Sequence, residues 1–260
     1  MPEPLLTRYM QPLLAGRRAE CFSLIVDAID RGHAAEQVIH DILWPAMSQT
    51  ERLYRDDRID RAVENMACRI NRTVAAQLQA HLPRSMPNGK RIIVTCARES
   101  REEIGAQMLA DLFQSHGWDV YFIGAGVPHD ELLHLVGQLH PTVLLIYGTC
   151  PCEVPAVRQL VELIREIGVC PTMNIVVSGG VFNRVDGLWQ EVGADISASL
   201  PREVIQIVSE LEPRKPGPRR PGIVKKRRRR RKKPAPCQTP AETVEADHPT
   251  ADAQVALVGG

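Results

Sequence analysis

Between residues 90 and 212, short apolar runs alternate with amphipathic stretches of helical period, and this alternation constrains the fold more than any other feature. Ile92–Cys96, Asp119–Ile123, Thr142–Tyr147, Ile175–Ser178 and Ala194–Ile196 read as strands. Helices are expected over Glu103–His116, Pro128–Leu139, Pro155–Ile167 and Pro201–Leu211, with a short helical stretch near Leu188. The strands are rich in β-branched residues and lack a wet face, as parallel strands between two helix layers must. Five βα units joined by right-handed crossovers give an α/β, five-stranded, doubly wound parallel sheet of the flavodoxin-like kind. Such sheets take ligands beyond the carboxyl ends of their strands.

Residues 2–82 carry a different period. Cys21, Leu24, Ile25, Ala28 and Ile29 recur at helical spacing, and Arg31-Gly32-His33 closes that element. A third helix is expected from about Ala34 to Tyr54, bent or restarted at Pro45. The clearest stripe is Ile59, Val63, Met66, Ile70, Val74 and Leu78, with Arg61, Glu64, Arg69 and Arg72 mostly off it. Short connections between these helices favour an antiparallel bundle of about four. The organisation read from the chain is therefore an all-α bundle over 1–83, a linker, an α/β domain over 90–212, and a tail over 213–260.

The tail changes the meaning of the composition. The chain is 44% hydrophobic and 24% charged with a net charge of +1, which describes an ordinary globular protein. Yet 13 of its 32 basic residues fall in 214–233, and four of its 31 acids lie beyond residue 213. The body to residue 213 thus holds 19 bases against 27 acids, a net of −8. A tail of Pro, Gly, Lys and Arg cannot bury enough surface to offset its ordering entropy and is expected to be disordered. Its run Lys225, Lys226, Arg227, Arg228, Arg229, Arg230, Arg231, Lys232 and Lys233 suits nonspecific contact with nucleic-acid phosphates, or with the acidic body itself. It carries no aromatic residue for base stacking.

No apolar run is long enough to span a bilayer, and the start Met1-Pro2-Glu3-Pro4 lacks the layout of a signal peptide. Seven cysteines without framework spacing fit reduced thiols, and a cytoplasmic location is expected. Cys150-Pro-Cys152 at a strand's carboxyl edge suits a soft metal or a redox pair, but no second pair or nearby histidine completes a zinc site. His129 is a candidate metal or haem ligand, or simply the start of a helix. Neither a nucleophile–base arrangement nor a phosphate loop is present in the sequence, so a non-catalytic role is expected.

The segment Glu99-Ser-Arg-Glu-Glu-Ile-Gly105, followed by Trp118-Asp-Val-Tyr-Phe-Ile-Gly-Ala-Gly-Val-Pro128, resembles the start of a cobalamin (B12)-binding domain. Ser178-Gly179-Gly180 matches that family's double-glycine element. The bundle in front is similar to the cap of corrinoid methyltransferases and of MerR-type light-responsive regulators. In those regulators a Trp, and a Glu-His pair ten residues later, face the corrin; Tyr54 and Glu64-Asn65 stand at that spacing here. The family's Asp-x-His-x-x-Gly signature, whose histidine binds cobalt from below, reads here as Ser100 and Glu102 ahead of Gly105. Neutral imidazole suits cobalt and a second carboxylate fixes its tautomer, so both substitutions weaken that ligation. Glu102 is either a replacement ligand, a contact to cobalamin that keeps its own base, or a first-turn residue favoured by the helix dipole. Gly105 either lets the corrin approach or lets helix and sheet pack closely. The family's Ser-x-Leu element, which lines the channel for the nucleotide tail, stands here as Tyr147-Gly148-Thr149, where a tyrosine would partly fill the channel and Gly148 would relieve the crowding.

The resemblance implies cobalamin as cofactor, with haem as the alternative, and a sensor or regulator with a basic tail near nucleic acid. Its other implications are a corrinoid carrier subunit of a methyltransferase system, or a scaffold that has lost the cofactor. A protein partner or a homodimer through the bundle would complete the first two.

Overall fold

The structure is a computed structural model that describes residues 4–97 and 103–215. Ser100, Glu102 and the basic run 225–233 lie outside the described residues.

The helical half comprises α1 (Leu5–Leu14), α2 (Arg18–Asp30), α3 (Ala35–Val38), α4 (Trp44–Arg55) and α5 (Arg61–Gln79). The bend expected at Pro45 is a wide π-turn over Ile39–Leu43 that joins α3 to α4. Proline has no N–H for the carbonyl four residues back and its ring crowds that turn, so the backbone widens before it. Asp60 caps α5, its Oδ1 accepting from the Val63 N–H at 2.8 Å.

The expected stripe on α5 holds only in its second half. Ile70, Val74 and Leu78 are buried, but towards the N-terminus the buried face turns to Glu64, Ala67 and Asn71. Met66 is 42% exposed. Tyr9 of α1 explains part of this rotation: its hydroxyl donates to Asn71 Oδ1 at 2.8 Å inside the bundle, so a polar pair sits where periodicity alone expects an apolar one.

The α/β half runs β1 (Arg91–Cys96), α6 (Ile104–Ser115), β2 (Asp119–Gly124), α7 (His129–Leu139), β3 (Val143–Tyr147), a 3₁₀ turn, α8 (Val154–Ile167), β4 (Asn174–Ser178), α9 (Gly180–Arg184), α10 (Leu188–Glu191), β5 (Ile196–Ser197) and α11 (Pro201–Glu210). The five strands are parallel in the order β2-β1-β3-β4-β5. This is a flavodoxin-like doubly wound sheet, whose order reverses between β1 and β3. Alternate side chains separate the two faces. Ile92, Val94, Val143, Leu145, Tyr147 and Val176 pack with α6, α11 and the bundle in one core, while Ile93, Leu144, Ile146, Ile175 and Val177 pack with α7 and α8 in another. The bundle is thus continuous with one face of the sheet.

The described chain passes residue 212, where the tail was expected to begin. Arg214 N–H donates to the Thr172 carbonyl at 2.9 Å and its Nε to Asp195 Oδ1 at 3.0 Å. Asp195 also accepts from Ile175 N–H at 2.7 Å and pairs with Arg165. Three donors on one carboxylate fix this segment against β4, an attachment that composition does not reveal. Among the described residues no helix is long and apolar enough to cross a membrane.

Candidate functional site

The carboxyl ends of β1 and β3 meet at the reversal in strand order, with β4 beside β3, and the loops after β3 and β4 form a rim beneath the bundle. Gly148 follows β3; Gly179 and Gly180 follow β4. Gly179 has φ +105, and a Cβ there would run into the Gly148 carbonyl, so the two loops touch through bare backbone. The contact is tied by Gly148 N–H donating to Ser178 O at 2.9 Å, with Ser178 Oγ donating to Ala198 O at 2.8 Å. The double glycine therefore does structural work in the turn and also leaves a floor without side chains.

Two side chains lie on that floor. A Cβ on Gly180 would stand 2.7 Å from Glu51 Oε1 and 2.8 Å from Arg184 Nη1. Glu51 comes from α4 in the bundle and Arg184 from α9, and they pair at 2.5 Å. Arg184 Nη2 also donates to the Thr149 carbonyl at 2.8 Å, so one guanidinium spans the β3 and β4 loops while a bundle carboxylate holds it from above. A fork of fixed N–H donors suits such a double role.

Tyr147 ends β3 on the face shared with the bundle and is 3% exposed. Its ring overlaps the place of any side chain at position 105, with Cε2 only 2.9 Å from where a Cβ would be. Trp44 of α4 meets it edge to face, with centroids 6.3 Å apart. Of the two sequence readings of Gly105, this geometry supplies the second: the glycine lets helix and sheet close around a ring.

In the bundle, Glu64 is buried, and its Oε2 has no hydrogen-bond partner among the described residues. Its nearest cation is Arg61 Nη1 at 3.5 Å, itself stacked on the Tyr54 ring at 4.7 Å. Tyr54, Arg61 and Glu64 therefore form one cluster. Asn65 is exposed and stays outside it, because successive helical residues diverge by about 100°. A buried carboxylate oxygen without a donor costs free energy, and such exceptions call for a ligand or another explanation.

Near the end of β1, Glu103 Oε1 accepts from Ala125 N–H at 2.7 Å, tying α6 to the loop after β2. Burial, then the charges of Glu103 and Glu153, push the Cys96 thiol up to about 12. The Cys150 thiol beside it holds Cys152 up to about 11, so neither Cys96 nor Cys152 is a ready thiolate. Among the described residues no group of three or more His, Cys, Asp or Glu is placed to hold a metal ion. His129 lines a cleft of about 20 Å³ with Thr95 and Cys96, room for about one water and for no larger group.

Sequence reading missed Glu51, Arg184 and Trp44. Glu51 and Arg184 are 133 positions apart, and neither carries a local motif. Only the βα order, which brings the β4 loop beneath the bundle, could have pointed to them.

A flat macrocycle with polar edges fits part of this rim. The glycine floor suits one, provided the Glu51–Arg184 pair swings aside, and in the bundle Glu64 keeps a buried oxygen whose ion-pair partner, Arg61, stands 3.5 Å off. An appendage threaded between β3 and α6 does not fit, because Tyr147 fills that space.

Two family models match the chain, each described as a B12 binding domain, one over residues 90–203 and the other over residues 5–79. Dimethylamine corrinoid protein 3 of Methanosarcina acetivorans is 23% identical over 192 residues, covering 72% of this chain and 89% of that protein. Dimethylamine corrinoid protein 2 of Methanosarcina mazei is 24% identical over 110 residues, covering 42% of this chain and 50% of its own length. The solved structure of Methanosarcina barkeri monomethylamine corrinoid protein superposes with a TM-score of 0.71 at 15% identity, covering 80% of this chain and 98% of that one. At that identity the structural likeness is one of fold.

Proposed function

Since the chain belongs to the B12-binding proteins, with one such domain in its helical half and one in its α/β half, we propose that it is a corrinoid carrier. In this reading it holds a corrinoid between bundle and rim and presents it to a methyl-transferring protein partner. The observation that carries the reading is the match across both halves, which extends to 89% of a dimethylamine corrinoid protein's length. The regulatory reading drawn from light-responsive proteins has no comparable support, since the relatives named above are amine corrinoid proteins. The family matches name B12 rather than haem.

A corrinoid supplies a cobalt centre that accepts and gives up a methyl group. The chain's own residues would do the holding. The backbone of Gly148, Gly179 and Gly180 forms the floor, and Tyr54 and Glu64 belong to the cap, where the carboxylate would accept from an amide at the macrocycle's edge. Glu51 and Arg184 must part to admit the ring, and both then offer polar groups to its rim. Glu102, standing where the family has its histidine, would make a polar contact to cobalamin that keeps its own base, since a carboxylate is a harder and weaker partner for cobalt than imidazole.

The test is reconstitution. Purified full-length chain is mixed with hydroxocobalamin, desalted, and examined by visible absorption. Retention of about one corrinoid per chain is expected, and protein that stays colourless overturns the reading.

A further inference from the structure

The space between β3 and α6 decides which part of a corrinoid this chain can accept, an inference that rests on the corrinoid reading above. A nucleotide tail lying between sheet and helix needs room on the order of the smallest ligand pockets, about 300 Å³. Here that room is taken. Tyr147 points from the last position of β3 onto the backbone of α6 at Gly105. Trp44 of the bundle backs the ring edge-on.

Tyr147 cannot easily turn away. It sits in the core shared by bundle and sheet, among Cys96, Ile104, Met108 and Trp44, and interiors of this density do not open for one side chain without disturbing several. A rigid ring on a strand's last residue, matched by a glycine on the facing helix, is a plug with its own seat.

We propose that Tyr147, seated on Gly105, bars the nucleotide tail from the sheet, so that this chain recognises the corrin ring alone and holds cobalamin with its own base still on cobalt. Selectivity then rests on the ring's face and amide edges. A corrinoid without the tail is an equally good ligand.

The experiment compares hydroxocobalamin with cobinamide, the same ring lacking the nucleotide, by equilibrium dialysis and visible absorption on the full chain. Wild type is expected to bind the two within about threefold and to leave the base-on spectrum of cobalamin unchanged. Tyr147→Phe, which keeps the ring, should behave as wild type. Tyr147→Ser should prefer cobalamin over cobinamide by about tenfold or more and shift its spectrum to the base-off form; Tyr147→Leu serves if the serine variant does not fold. Wild type that prefers cobalamin tenfold with a base-off spectrum overturns this inference and leaves the carrier reading standing. So does a folded, smaller variant that still treats both ligands alike. Retention of neither corrinoid by any of these proteins overturns the carrier reading itself.

Discussion

The ring of Tyr147 occupies the volume that any side chain on residue 105 would need. Position 105 is therefore glycine because of a residue 42 places later on another element. Gly105→Ala should lower stability by about 1–3 kcal/mol, because a buried ring must move off its rotamer. That cost outweighs the gain of about 1 kcal/mol that alanine brings to a helix interior. Tyr147→Ala alone should cost about 3–5 kcal/mol as a large-to-small core change. In the double variant the new methyl sits in vacated space, so urea unfolding should give a coupling of about 1 kcal/mol or more in favour of the pair. Strict additivity would show that the two residues do not compete for one volume.

Glu64 buries a carboxylate oxygen with no hydrogen bond among the described residues, its ion-pair partner Arg61 standing 3.5 Å away. Glu64→Gln removes the charge while keeping the shape, and should raise the stability of the ligand-free protein by about 1 kcal/mol. The same change should weaken corrinoid retention in dialysis. Opposite signs in the two measurements mark a group kept for binding at the expense of stability. A variant that loses stability would instead make Glu64 a structural partner of Arg61.

The Glu51–Arg184 pair lies on the floor that a macrocycle must reach. Glu51→Gln leaves Arg184 anchored on the Thr149 carbonyl but releases the bundle's hold. Hydroxocobalamin uptake, followed by stopped-flow absorbance, should be several-fold faster than in wild type. Added salt should speed the wild type towards the variant, since it screens the partly exposed pair, and should barely alter the variant. Equal rates at low salt would show that the pair is no barrier to entry.

Asp111 of α6 faces α5, where Gln79 Nε2 donates to its Oδ1 at 2.8 Å. Burial raises its carboxyl to about 6, against about 4 in an unfolded chain. Between these values the folded state carries the extra proton, so stability falls as pH rises from about 4 to about 6 and levels off above. The loss amounts to at most about 3 kcal/mol. Thermal melts across this range should show the slope, and Asp111→Asn should remove it. A wild-type slope of the opposite sign would mean that Asp111 is stabilised as an anion.

The fold was legible because strands buried on both faces need long apolar, β-branched runs, and the helices between them need a 3.6-residue stripe. Those are local requirements, and Val143–Tyr147 or Leu188–Glu191 could be read from them within a residue or two. The short helix Gly180–Arg184 was not legible, since two glycines at its head resemble a plain turn. The resemblance suggests Tyr147 as a filler of the family's channel, but its seat on Gly105 depends on α6 crossing β3, which no local pattern encodes. The α5 stripe misled through Met66 because the bundle buries Glu64 and Asn71 instead. A buried carboxylate and a tyrosine–asparagine pair outweighed hydrophobic period there.

The core that joins the bundle to one face of the sheet should make the two B12 binding regions melt as one unit. Splitting the chain at the linker would strip Trp44 from Tyr147 and Gln79 of α5 from Asp111 of α6, and would divide an apolar core that both halves share. Neither fragment should be expected to survive as a soluble, portable module, and any hinge opening that admits a ligand must be a tilt about this seam rather than a parting of halves.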